Sequence, residues 1–137
     1  MTTLLSSHAI TANQSLASVG RVLSVPHDCT SITVEANFVR GGGGGTATAY
    51  VQTSLDGGST FIDVICFAFT TSSLRKVANV TRSTAVTTPV APTVGAMTDN
   101  TGQSGIIGDV IRIQFVSAGT VYSGTTTSDM FVQMGSS

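Results

Sequence analysis

The chain has 137 residues, of which 41% are hydrophobic and only 9% charged, with a formal net charge of −1. That is the size of one ordinary domain. It is too hydrophobic for intrinsic disorder, lacks the Ala/Glu/Lys/Leu heptads of a coiled coil, and has no electrostatic footprint for nucleic acid or anionic membrane.

Residues 1–18 are polar with few apolar anchors and are expected to form an N-terminal arm, leaving 19–137 as a single β-sandwich domain. The opening has no basic n-region followed by an apolar h-region, so no signal peptide is expected. No run of 18 uncharged apolar residues reads as a membrane span. Arg21 to Val25 is a weak strand candidate. Ile32 to Phe38 is a clear one, because apolar and polar residues alternate with period two. The run Gly41 to Gly45 has no side chains to pack and reads as a flexible connector. It lacks the following Lys-Ser/Thr and helix of a phosphate-binding loop.

Thr46 to Ser54 alternates again, with Ala47, Ala49 and Val51 on one face and Thr48, Tyr50 and Gln52 on the other. Phe61 to Phe69 is apolar on both faces, which predicts a central strand covered on both sides or one entering an interface. Leu74 to Val80 is weaker. Thr84 to Gly105 is a long Thr/Pro/Gly segment, and loops of that length are often functional or partner-bound. Val110 to Val116 alternates, with Ile111, Ile113 and Phe115 opposite Arg112 and Gln114; Met130, Val132 and Met134 mark a last strand.

The 22 threonines and 17 serines disfavour helices, and no helical stripe is present. The fold class is therefore all-β: an antiparallel sandwich of about seven or eight strands, jelly-roll or immunoglobulin-like.

Ser54-Leu55-Asp56-Gly57-Gly58-Ser59-Thr60-Phe61 fits S-x-D-x-G-x-T-[WF] and resembles the Asp-box of sialidases and other β-proteins. Its physics is that of a hairpin. Asp56-Gly57 supplies the turn, the Asp side chain caps backbone N–H groups, and Phe61 tucks against the strands. Ser54, Asp56, Gly58, Thr60 and Phe61 are thus structural turn residues. A single motif in a chain this short cannot be a sialidase propeller.

Catalytic and metal-ligating constellations are not expected. His8 lies in the arm; His27, Asp28 and Cys29 are consecutive, and residues of a strand point alternately to opposite faces. There is no G-x-S-x-G elbow. Asp56, Asp63, Asp99, Asp109 and Asp129 are read mostly as turn and strand-end residues. The chain is therefore expected not to be an enzyme and to need no cofactor. Arg75 and Lys76 read as a solvated strand edge or a salt bridge. Cys29 and Cys66 are too few for a disulfide scaffold and read as buried thiols, with their pairing left open.

The MTTLLSS opening, the SLDGGSTFIDV hairpin and the closing GDVIRIQFVSAGTVYSGTTTSDMFVQM also resemble short phage virion proteins. The resemblance implies a capsid decoration or cement subunit, made in the host cytoplasm and located on the capsid surface. Its partners would be the major capsid protein and itself, most simply as a trimer, with no nucleic acid or membrane. The arm Met1 to Ser18 and the loop Thr84 to Gly105 are the expected clamping segments. The competing readings are a carbohydrate-binding or adhesin module, with a glycan as partner, and a tail or baseplate component. A sugar site would need an exposed aromatic, for which Tyr50 and Tyr122 are the candidates.

Overall fold

A computed structural model describes residues 2–136. The strands are β1 (Thr2–Ala9), β2 (Ala17–Ser24), β3 (Cys29–Val39), β4 (Gly42–Gly43), β5 (Thr46–Ser54), β6 (Phe61–Phe69), β7 (Leu74–Thr81), β8 (Thr101–Gly102), β9 (Val110–Ala118), β10 (Tyr122–Ser123) and β11 (Thr127–Ser136). Eight are long; β4, β8 and β10 have two residues each. All the pairings are antiparallel.

Two sheets form the sandwich, in the orders β1-β11-β3-β7 and β2-β9-β5-β6-β8, with a small β10-β4 ribbon at one end. Along the chain, successive long strands alternate between the sheets, except β5 and β6, which are neighbours in one sheet. This double Greek-key wrap is the jelly-roll, and it decides between the two sandwich types the sequence leaves open.

Period-two patterning builds the core. Ile32, Val34, Ala36 and Phe38 of β3 are fully buried, as are Ile111, Ile113 and Phe115 of β9. Phe38 stacks on Phe69 with centroids 5.0 Å apart and meets the Tyr122 ring edge-on at 5.4 Å. Burying each such large apolar side chain is worth about 1.5–3 kcal/mol.

The segment expected as an arm is part of this core. β1 pairs with β11, and Leu4, Leu5 and Ile10 are buried. Register shifts between Thr3 and Leu5 and between Leu5 and His8 break the alternation that would have revealed the strand. Ser7 at the second shift takes φ 44° and donates its N–H to Asp129 Oδ1 at 2.6 Å.

The glycine run is likewise a packed element. Gly42 and Gly43 pair with Ser123 and Tyr122, and a Cβ on Gly44 would enter the Tyr122 ring. Glycine is needed there for close approach. β6 is covered on both faces as expected, yet it lies next to a sheet edge, beside the two-residue β8. Cys29 and Cys66 are buried and unpaired. Arg75 pairs with Glu35 of β3 at 2.9 Å.

Candidate functional site

The tight β5–β6 hairpin carries the Asp-box-like residues. Ser54 Oγ donates to Asp56 Oδ1 at 2.7 Å and accepts the N–H of Gly58 at 2.9 Å. Asp56 Oδ1 also accepts the N–H groups of Ser59 at 3.1 Å and Thr60 at 2.8 Å. These bonds, the Thr60 N–H first and the Ser54 hydroxyl next, hold the Asp56 carboxyl at about 2, below its ordinary 3.8. Gly57 and Gly58 take φ of 77° and 107°, where a side chain would be strained. Phe61 is buried beneath Arg112, whose guanidinium carbon lies 3.7 Å from the ring centroid. The motif residues thus form one self-capped turn.

Beside the hairpin, β6 is met by the later part of the segment 84–105: residues 93–97 at Asp63, and 100–103 along Val64 to Ala68. The expected solvent face of β5, Thr48, Tyr50 and Gln52, is buried, Gln52 completely. Asp63 makes the attachment. Its Oδ1 accepts Gln52 Nε2 at 3.0 Å and the Gly95 N–H at 3.1 Å; its Oδ2 accepts the N–H groups of Ala96 at 3.0 Å and Met97 at 3.3 Å. The Asp63 N–H donates to Thr93 O at 3.2 Å. The bound carboxylate is satisfied by dipoles, as a buried acceptor must be.

Gln52 continues the network: its Oε1 accepts Arg112 Nε at 2.8 Å and its Nε2 donates to Gln114 Oε1 at 2.9 Å. Burial pushes the Arg112 guanidinium below its ordinary value, and the Asp63 charge opposes that shift.

Asp63 is thus no turn residue. It sits within β6, at the register shift where Gln52 opposes Asp63 and Val51 opposes Ile65. Its role was missed, although a carboxylate inside the apolar run FIDVICFAF is the signal for it.

Between hairpin and loop lies a cleft of about 300 Å³, lined by Leu55, Phe61, Ile62, Val90, Pro92 and Ile106. The two segments expected to clamp a partner touch where the Leu16 side chain packs over Gly95. Tyr50 and Tyr122 are both buried. Among the described residues no group of three His, Cys, Asp or Glu side chains is placed to hold a metal ion.

Compared with known proteins, the chain matches no family model, no curated protein and no solved structure.

Proposed function

We propose that this chain is a virion structural subunit of the capsid-decoration type, which docks on the major capsid protein and stabilises the shell. The observation that carries the reading is the clamped loop. Asp63 holds the segment 84–105 against the sheet, while Val86, Val90 and Val94 stay 40%, 45% and 38% exposed. A fixed, uncharged aliphatic surface binds protein with little ordering cost. The jelly-roll recurs in viral capsid and lectin domains, a support by fold analogy. The lectin branch needs an aromatic platform, and no Phe or Tyr is fully exposed among the described residues.

The test mixes purified protein with empty shells of a phage major capsid protein and measures co-sedimentation. Saturable binding by the wild type, lost in a V86S/V90S/V94S variant of unchanged melting temperature, supports the reading. Binding to tail assemblies alone moves the chain to the tail or baseplate, and binding to neither overturns both. Under this reading the free protein self-associates, and a trimer that persists on dilution in light scattering is the expected state.

A further inference from the structure

The two sheets meet along one side of the sandwich without a backbone ladder. β7 ends the four-stranded sheet, and β6 with β8 ends the five-stranded one. Between them is a cleft of about 330 Å³, with Cys66, Phe67, Lys76, Val77, Asn100 and Thr101 in its walls. Lys76 on β7 reaches across it. Its Nζ donates to Ala68 O at 2.5 Å and to Asn100 Oδ1 at 2.8 Å, and lies 4.9 Å from the Phe69 ring centroid.

Asn100 is held for this contact. It takes φ 56°, a left-handed conformation uncommon outside glycine, and its Oδ1 also accepts the Ala68 N–H at 3.0 Å. The Ala68 N–H on the carboxamide oxygen draws electron density from Cγ, as a donor of an oxyanion hole does. An amine is therefore fixed beside a polarised amide, the arrangement in which proximity replaces a bimolecular encounter.

We propose that Lys76 and Asn100 condense into an isopeptide bond that joins the two sheets covalently. The Nζ ammonium first gives one proton to the alkaline buffer, and the neutral amine then adds to Cγ while Oδ1 stays on the Ala68 N–H. The adding nitrogen passes its second proton through solvent to Nδ2, which leaves as ammonia. One N–C bond forms and one C–N bond breaks, with no change of oxidation state and no co-reactant. Cys66 Sγ, in the cleft wall, lies 4.0 Å from Asp99 Oδ1. Cys66 does not compete as a nucleophile, because burial pushes its thiol up to about 11, and the Asp99 charge adds to the effect. Asn100 is exposed to solvent, which gives ammonia a way out.

The experiment is intact-mass spectrometry of the denatured full chain after incubation in mildly alkaline buffer, followed by a tryptic map. The expected result is a wild type lighter by one ammonia, with a cross-linked peptide joining Lys76 to Asn100. K76R, which keeps the positive charge and hydrogen-bond donors, then retains its full mass. A wild type of full mass overturns the proposal; so does loss of ammonia from K76R, or loss mapped to another residue pair.

Discussion

Gln52 Nε2 and Asp63 Oδ1 stand 3.0 Å apart on neighbouring strands, one fully buried and the other nearly so. This contact couples the Arg112–Gln52–Gln114 network to the carboxylate that receives the loop. Asp63→Ala leaves the Gly95, Ala96 and Met97 N–H groups without their acceptor. A loss of about 2–3 kcal/mol is expected, at the upper end for one orphaned buried group because the loop can rehydrate. Hydrogen exchange at those three amides checks it: protection falls there first. Asp63→Asn keeps one acceptor oxygen and retains part of the protection.

The hairpin sets a pH dependence. Asp56 is held at about 2 in the folded chain, against 3.8 ordinarily. A depressed folded value means the unfolded chain binds the proton more readily. The stabilisation is therefore present above about pH 4 and is lost as pH falls through 2. Melting curves between those limits should converge for the wild type and Asp56→Asn, and separate at neutral pH.

Ser128 Oγ is buried without a hydrogen-bond partner among the described residues. Ser128→Ala removes a hydroxyl that gains nothing on folding. It is expected to leave stability unchanged or raise it by up to about 1 kcal/mol in urea unfolding.

Gly44 has φ 113°, and a Cβ there would enter the Tyr122 ring. Gly44→Ala must displace that ring, whose hydroxyl donates to Thr70 O at 2.5 Å. A cost of about 1–3 kcal/mol is expected from thermal unfolding.

Cys66 is 1% exposed, with its thiol pushed up to about 11 by burial, and Cys29 is 2% exposed. Both should react with a thiol reagent only as fast as the protein opens, and at once in denaturant.

Much of the sandwich was legible because one buried face imposes period two. β3 and β9 show it directly in Ile32-Val34-Ala36-Phe38 and Ile111-Ile113-Phe115. The Asp-box-like turn was legible for a different reason: its bonds run between residues two to four apart. β1 was hidden by its bulges. The jelly-roll order was hidden because it rests on pairings such as Thr2 with Val132, far apart in sequence. The clamp needed both a bulge in β6 and the return of residues 95–97 to Asp63, and no local pattern encodes such a meeting.

The strand synthesised last among the eight long ones lies inside its sheet, since β11 is inserted between β1 and β3. A nascent chain still lacking residues 127–136 therefore holds two unfilled sheet borders, one on each side of a missing strand. Such borders are templates for pairing with other chains. This sheet closes only when β11 enters between β1 and β3, and copies that meet before that step are exposed to exchanging these strands.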